Sequence, residues 1–205
     1  RAPAAQRPWV GAWCYGTGRT RLMRGTAANL VHGECRQGGE VGTELSDIRV
    51  FPVRSEGATA GHKDASFAAK MQRADGLVRV VPEYNHGYPG LLKQVLDINL
   101  EEYIHKAVGL CGVSAGPFGG ARVIENLLPV LRELGLMATF TDVNFGQARK
   151  LFDDHGKLLD EAYVRRVGGF FDELLCMSRA VPAARLPDNG RGRKLPIRDK
   201  QHGKD

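Results

Sequence analysis

The chain has 205 residues, and its 29 Lys and Arg residues against 23 Asp and Glu residues give a formal charge of +6. Since a domain typically has ~100–200 residues, this length predicts one folded domain with an ordinary core. Hydrophobic residues at 42% and charged residues at 25% exclude a mainly disordered chain. No apolar run approaches the ~18 residues that a membrane helix needs, and no signal-like segment opens the sequence, so a cytoplasmic location is expected.

The excess positive charge lies at the two ends of the chain. Residues 1–8 hold two Arg and no acid, and residues 182–205 hold seven Lys and Arg against three Asp, which leaves 20 basic and 20 acidic residues between them. Both ends are rich in proline and show no apolar periodicity, so they are predicted to be an N-terminal tail and a basic, extended C-terminal tail. The folded domain is predicted over residues 9–181. Because this domain is formally neutral, its charge does not indicate nucleic acid or a membrane as a partner.

The cysteines do not form a pattern that indicates a disulfide framework or a metal site. The four positions, Cys14, Cys35, Cys111 and Cys176, form neither a CxxC pair nor a spacing linked to histidine. Reduced thiols and no bound metal are therefore expected.

Short apolar runs alternate with amphipathic stretches along the body of the chain. The runs rich in β-branched or aromatic residues predict strands at Trp9–Tyr15, part of Val41–Val50, Gly76–Val81, Ala107–Val113 and Leu136–Val143. Apolar residues that recur at three and four predict helices at 21–36, Ser66–Arg73, Gly90–His105, Gly120–Leu134 and Leu159–Ala180. This alternation predicts an α/β fold, a doubly wound five-stranded parallel sheet in a three-layer α/β/α arrangement. In such sheets ligands bind beyond the carboxyl ends of the strands, where the winding reverses.

The loop after the first predicted strand is Gly16-Thr17-Gly18-Arg19-Thr20. Its glycines, hydroxyls and arginine before a helix suit a phosphate cradle, since backbone amides and a guanidinium both bind anions. An ordinary strand-to-helix turn with capping hydroxyls has the same composition, so both interpretations stay open here.

The loop after the third predicted strand is the most specific segment of the sequence. It runs Pro82-Glu83-Tyr84-Asn85-His86-Gly87-Tyr88-Pro89-Gly90, and a helix beginning Leu91-Leu92-Lys93 follows. Two prolines fix the backbone at both ends of a polar and aromatic loop. Such a loop can present backbone amides to the edge of a flat heterocycle and a tyrosine to its face.

The loop after the fourth predicted strand is made of small residues. It reads Gly112-Val113-Ser114-Ala115-Gly116-Pro117-Phe118-Gly119-Gly120-Ala121-Arg122. Small side chains permit close approach by a planar ligand, although a packing turn would use the same residues.

The segment from Pro82 to Lys93 resembles the PEYNxxxPGxLK signature of the NADPH-dependent FMN reductase family, which includes azoreductases, quinone reductases and chromate reductases. The family pattern continues to an acidic residue four positions after the lysine, where Asp97 stands, and this spacing places Lys93 and Asp97 on one helix face. The resemblance covers roughly residues 9–180, and it implies a flavodoxin-like fold.

The resemblance also implies a cofactor site. FMN is expected to contact three groups of residues: Thr17, Arg19 and Thr20 at the phosphate; Pro82, Glu83, Tyr84, Asn85 and His86 at the ring edge; and Ser114, Ala115, Gly116 and Phe118 along the ring. The first loop departs from the family's G-S-x-R pattern, because Thr17 replaces the serine and Thr20 would have to supply the second hydroxyl. NADPH or NADH is the implied hydride donor, with ping-pong kinetics and a small-molecule electron acceptor. No side chain is assigned a catalytic proton transfer, since the flavin carries the chemistry.

A homodimer or homotetramer formed through the predicted helix 90–105 is also implied by the resemblance. Two other functions stay open at this stage. The first is a flavodoxin-like binding or regulatory protein that has lost tight FMN binding through its altered first loop. The second is a nucleic-acid-associated protein that acts through its basic tail.

Overall fold

The computed structural model describes residues 9–15, 23–37, 41–50, 64–153 and 155–183. The strands are β1 (Trp9–Tyr15), β2 (Val41–Asp47), β3 (Gly76–Pro82), β4 (Lys106–Val113), β5 (Leu136–Ala138) and β6 (Val143–Phe145). The helices are α1 (Met23–Gln37), α2 (Ala65–Arg73), α3 (Gly90–Asp97), α4 (Ala121–Glu133), α5 (Ala148–Leu151) and α6 (Ala162–Ala183). A short 3₁₀ turn, Ile48–Val50, follows β2. The predicted tail 1–8 lies outside the described residues, and so does the part of the predicted C-terminal tail beyond Ala183.

All the described strand pairs are parallel, and the order of the sheet is β2-β1-β3-β4-β5, with β6 also paired to β4. The chain moves from β1 outward to β2 and then returns past β1 to β3, so the direction of winding reverses between β1 and β3. This arrangement confirms the predicted doubly wound α/β fold and places the expected ligand edge at the carboxyl ends of β1, β3 and β4.

Helices cover both faces of the sheet, and every residue of β3 and β4 is buried. One hydrophobic cluster joins Val78, Val80 and Cys111 to α1 and α6, and a second joins Leu77 and Leu110 to α2, α3 and α4. Near-continuous burial of two neighbouring strands is the expected pattern for a parallel sheet between two helical layers.

One charged side chain interrupts this core. Arg79 of β3 is only 1% exposed, and its Nη2 lies 3.9 Å from the sulfur of Met71. Among the described residues, its Nε and Nη1 atoms have no hydrogen-bond partner and no carboxylate forms an ion pair with it. Burying a cation in this way lowers stability, and an apolar side chain would avoid that cost.

The predicted strand Leu136–Val143 is wrong as a single element. β5 pairs with Lys106–Val108 and β6 pairs with Cys111–Val113. Between them the chain leaves the sheet after Thr139, whose amide still donates to the carbonyl of Val108 at 3.0 Å. The amides of Phe140 and Thr141 donate instead to the two carboxylate oxygens of Glu173 in α6, at 2.6 and 2.9 Å. The described part of the chain therefore has six strands in the sheet rather than five.

The predicted helix 90–105 is correct only in its first half. Leu92, Val95 and Leu96 share a buried face, as the spacing predicts, but α3 ends at Asp97. Residues 98–105 then form turns in which the amide of Tyr103 bonds to the carbonyl of Leu100 at 3.1 Å. His105 adopts a left-handed conformation (φ 60°) and donates its amide to Gly135 at 2.9 Å, and this turn redirects the chain into β4.

The sequence did not predict α5, and the remaining described helices and strands agree with the sequence predictions to within a few residues. No described helix is both long enough and apolar enough to cross a membrane.

Candidate functional site

The loops that follow β3 and β4 lie side by side at the carboxyl edge of the sheet. Pro82 pairs with Val113 at the ends of the two strands, and the amide of Glu83 donates to the carbonyl of Val113 at 2.9 Å. The segment after β6 reaches the same edge, because the amide of Gln147 donates to the carbonyl of Gly116 at 2.7 Å. Backbone hydrogen bonds therefore fix three chain segments around one place.

The loop after β3 is a tight hairpin turn, formed by residues 83–87 and called the hairpin below. Tyr84 and Gly87 exchange two backbone hydrogen bonds of 2.9 Å, and Asn85 (φ 47°) and His86 (φ 65°) both have left-handed backbones. This geometry is that of a type I′ turn, in which the two central amides take no part in the pairing. Asn85 and His86 are exposed, so their amide groups remain able to donate to a ligand.

Two side chains of α4 hold the hairpin. Arg122 donates from Nη1 to Oε1 of Glu83 at 2.6 Å, and Asn126 donates from Nδ2 to the carbonyls of His86 and Arg122 at 2.8 Å. The Glu83 side chain is 8% exposed, and its second oxygen, Oε2, is buried without a hydrogen-bond partner. The hairpin is thus anchored by two side chains of α4.

The loop formed by residues 114–120, called the glycine loop below, is packed against the end of β4. A Cβ added at Gly112 would lie 2.5 Å from the carbonyl oxygen of Gly119, and one at Gly120 would lie 2.7 Å from the amide nitrogen of Val113. Gly119 (φ 62°) and Gly120 (φ 84°) also need left-handed backbones. Only glycine meets both demands at Gly119 and Gly120, so these residues fix the course of the loop.

The glycine loop also presents an open surface. A Cβ added at Gly116 would meet no atom within 4 Å. Phe118 is 61% exposed, and the Arg122 guanidinium lies 4.8 Å from the centroid of its ring. Ser114 is positioned by its amide, which donates to Phe145 at 3.1 Å, and by its hydroxyl, which donates to the carbonyl of Gly116 at 2.9 Å.

Nine of the twelve predicted site residues are described, and the structure brings them to one edge of the sheet. They are Pro82, Glu83, Tyr84, Asn85, His86, Ser114, Ala115, Gly116 and Phe118. The other three, Thr17, Arg19 and Thr20, lie outside the described residues. The chain enters their loop at the same edge, since Tyr15 at the end of β1 pairs with Val80 of β3.

The sequence prediction missed Arg122 and Asn126. Arg122 follows the Gly119-Gly120 pair in the quoted loop, and Asn126 is one helical turn later, so the spacing places both on one face of α4. This i, i+4 pair of polar residues at the start of a helix could have indicated a functional role. That the two side chains hold the hairpin follows only from the fold, which brings the hairpin next to α4.

The site offers no activated nucleophile or metal ligands among its described residues. Burial, with a smaller effect from Asp142, raises the pKa of the Cys111 thiol well above its ordinary value, so this side chain stays protonated. Within the described ranges, no group of three or more His, Cys, Asp and Glu residues could hold a metal ion.

The strand order and the ligand edge between β1, β3 and β4 define a flavodoxin-like α/β protein. The solved structure of the flavoenzyme NAD(P)H:(acceptor) oxidoreductase from Paracoccus denitrificans has this fold; it aligns with a TM-score of 0.72 at 18% identity, over 84% of this chain and 98% of that one. The sequence pattern of NADPH-dependent FMN reductases matches residues 14–150. The chain belongs to the NADPH-dependent FMN reductase family, as the resemblance of its loops predicted, and is therefore an NAD(P)H-dependent oxidoreductase that uses FMN.

Relatives in sequence carry corresponding names. An NAD(P)H-dependent FMN reductase of Pseudomonas aeruginosa is 32% identical over 126 residues, which is 58% of this chain and 68% of the relative. A quinone reductase of Pseudomonas putida is 27% identical over 124 residues, with 58% and 67% of the two chains covered.

The described part of the site fits a flavin ring. The Asn85 and His86 amides can donate to ring carbonyls or nitrogens. The open side of Gly116 and the exposed face of Phe118 suit a flat aromatic group. These donors and apolar surfaces are compatible with the edge and the face of an isoalloxazine ring.

Proposed function

We propose that this chain holds FMN at the carboxyl edge of β1, β3 and β4, and that it reduces a small-molecule acceptor with NADPH or NADH. When bound, the flavin supplies the hydride chemistry. The proposed acceptors are a quinone, an azo compound, free flavin or a metal ion. The observation that supports this site best is the contact between two loops at one edge, one with unpaired turn amides and the other with an open aromatic surface.

The hairpin and the glycine loop have different parts in this proposal. The exposed amides of Asn85 and His86 would bind the ring edge and stabilise negative charge there, since a hydrogen bond to a charged group contributes about 1.5–3 kcal/mol. Ser114, Ala115, Gly116 and Phe118 would line the ring, and Thr17, Arg19 and Thr20 would bind the phosphate. Tyr84 is positioned by its two bonds to Gly87.

The chain itself transfers no proton in the proposed reaction. The only cysteine at the end of β4, Cys111, is fully buried with a raised pKa, and the ion pair of Glu83 with Arg122 occupies one oxygen of the nearest carboxylate. The donor and the acceptor would use the same open surface beside Phe118 in turn, which gives ping-pong kinetics.

The test is a visible spectrum of the purified protein followed by an assay of NADPH oxidation with a quinone. Flavin bands, present at purification or after adding FMN, and quinone-dependent oxidation are expected. A protein that shows no flavin bands under either condition would contradict the proposed site. FMN binding without oxidation of NADPH or NADH would instead indicate the binding or regulatory alternative, which the reductase names of the relatives do not favour.

The phosphate loop is tested by Arg19→Ala, with Arg36→Ala as the matched control. Arg36 is an exposed arginine in the last turn of α1. Weaker FMN binding is expected only for Arg19→Ala, because a guanidinium to phosphate pair is lost. Equal FMN affinity in the two variants would exclude Arg19 from the site.

We also propose a homodimer or homotetramer formed through the α3 region, and a cytoplasmic location. The oligomer is supported by the family resemblance, and its helix is the shorter Gly90–Asp97. Sedimentation equilibrium over a range of concentrations tests it, and a monomer throughout would contradict it. Cell fractionation tests the location.

A further inference from the structure

We propose that Arg122 is a positioning residue that compensates the negative charge of Glu83 close to the edge of the flavin ring. Its guanidinium compensates the buried Glu83 carboxylate and at the same time contacts the glycine loop. The proposal rests on the proposed site and adds a role for a residue of α4 that lies outside the two loops.

The first step is the geometry of Arg122. It is the second residue of α4, two positions after the left-handed Gly120, so the backbone fixes where its side chain begins. Its Nη1 atom is 2.6 Å from Glu83 Oε1, and its guanidinium carbon is 4.8 Å from the Phe118 ring centroid. One planar cation thus contacts the hairpin and the glycine loop together, and the fork geometry and flat face of arginine suit this double contact better than lysine does.

The second step is the charge balance around Glu83. Its carboxylate is 8% exposed and forms one ion pair in the described structure, which is the bond from Arg122. The Arg122 side chain is 40% exposed, so the carboxylate is the more deeply buried partner. Removing the arginine would leave a buried charge without compensation, which is much more costly than removing both partners.

A second residue of α4, Asn126, distinguishes the charge of Arg122 from its packing. Asn126 holds the hairpin through the carbonyl of His86 at 2.8 Å and carries no charge. Its loss would loosen the hairpin without removing a charge. The loss of Arg122 would loosen the hairpin and also remove a positive charge, and an uncompensated Glu83 would oppose the gain of electrons by a neighbouring flavin.

The experiment compares Arg122→Gln, Glu83→Gln, the double variant, Arg122→Lys and Asn126→Ala, with Arg132→Gln as an exposed control on the same helix. The measurements are the reduction potential of bound FMN and the FMN dissociation constant of the apoprotein from flavin fluorescence. We expect Arg122→Gln to lower the potential and to weaken FMN binding by roughly tenfold or more. Glu83→Gln should raise the potential, while the double variant and Arg122→Lys should return it toward the wild-type value. Arg132→Gln should leave it unchanged, and Asn126→Ala should shift it less than Arg122→Gln does, because it loosens the hairpin without removing a charge.

Two results would overturn the proposal. The first is a potential and an FMN affinity in Arg122→Gln equal to those of the wild type. The second is a double variant with a potential as low as that of Arg122→Gln, or an Asn126→Ala variant with the same shift, because Arg122 would then act by packing alone.

Amide hydrogen exchange at Tyr84 and Gly87 in the apoprotein gives a readout that needs no cofactor. Exchange is expected to be faster in Arg122→Gln than in Arg132→Gln, and equal rates would overturn the anchoring part of the proposal. If the wild type binds no FMN, the proposed function fails, while this comparison still decides whether Arg122 holds the hairpin.

Discussion

Two irregular segments of this protein are each held by side chains from a helix, but one segment is held by a cation and the other by an anion. The hairpin 83–87 contains a buried carboxylate, Glu83, and Arg122 of α4 compensates it at 2.6 Å. Residues 139–142, which we call the strand break, are held by Glu173 of α6, whose carboxylate accepts the amides of Phe140 and Thr141. The strand break thus gains an anion where the hairpin gains a cation.

The carboxylate of Asp142, in the strand break, lies close to this anion. Asp142 is partly buried and faces Glu125 of α4, Glu173 of α6 and the thiol of Cys111 in β4. Burial, together with the charges of Glu125 and Glu173, raises the pKa of Asp142 to about 6 from its ordinary value of 3.8. The strand break therefore contributes a pH dependence of stability between about pH 4 and 6, whereas the buried Glu83 carboxylate of the candidate site is compensated by Arg122.

The largest effect is expected on the site side of the comparison, from Gly112→Ala. The new Cβ would lie 2.5 Å from the carbonyl oxygen of Gly119, so the glycine loop would have to move. We expect a loss of about 3 kcal/mol or more in the free energy of unfolding, measured by urea denaturation, together with loss of FMN binding.

Gly116→Ala is the matched control, because its Cβ would meet nothing within 4 Å. Its free energy of unfolding should stay within about 0.5 kcal/mol of the wild-type value. Similar stabilities for the two alanine variants would contradict the packing described for the glycine loop.

The next largest effect is expected from Asp142→Asn in the strand break. Since the folded-state pKa of this acid is raised, the native protein binds more protons than the unfolded chain between about pH 4 and 6, and stability falls as the pH rises through that window. Asparagine removes the cost, so we expect the variant to be more stable by about 1–2 kcal/mol at pH 8, after allowing for solvent screening. The gain should vanish near pH 3, where aspartate is protonated in both states. Urea denaturation at the two pH values measures it, and a gain independent of pH would contradict the electrostatic explanation.

A smaller effect is expected from Glu173→Gln, which removes one of the charges that face Asp142. The pKa of Asp142, followed by NMR of its carboxyl carbon, should fall from about 6 toward its ordinary value. The variant should also lose about 1 kcal/mol of stability, because a neutral amide oxygen is a weaker acceptor for the Phe140 and Thr141 amides. Asp172→Asn, an exposed acid next to it in α6, is the control. An unchanged Asp142 pKa in Glu173→Gln would exclude Glu173 as a cause of the raised pKa.

The smallest effect is expected at the exposed ion pair of α3. Lys93 Nζ lies 2.6 Å from Asp97 Oδ2, and the sequence spacing predicted that the two residues share a helix face. Both side chains are more than a third exposed, at 41% and 37%. A double-mutant cycle with Lys93→Met and Asp97→Asn should give a coupling of about 0.3–0.5 kcal/mol that salt reduces. A coupling above about 1 kcal/mol would contradict the view that compensation matters mainly where a charge is buried, as at Glu83.

The loop after β3 was predictable from the sequence because its information is local. Two prolines and the strand before it specify the position of a rigid loop that can present backbone amides, whereas the hairpin turn with its left-handed Asn85 and His86 was not predicted. The doubly wound parallel sheet was predicted from the alternation of apolar runs and amphipathic stretches, while the order of its strands comes from the structure.

The strand break and the end of α3 depend on distant contacts, so the sequence did not reveal them. Thr139, Phe140 and Thr141 are good strand residues. The amide of Thr139 still bonds to Val108, but those of Phe140 and Thr141 donate to the carboxylate of Glu173, 33 positions after Phe140. In the same way the apolar spacing of α3 continues toward Tyr103, while the bond from His105 to Gly135 turns the chain away. A tertiary partner overrides the local propensity in both cases.

The central claim is that FMN binds at the hairpin and the glycine loop, and amide hydrogen exchange with and without FMN tests it most directly. The account predicts that FMN slows exchange at Asn85 and His86 and leaves Phe140 and Thr141 in the strand break unchanged. Unchanged exchange at Asn85 and His86 in a protein saturated with FMN would contradict it.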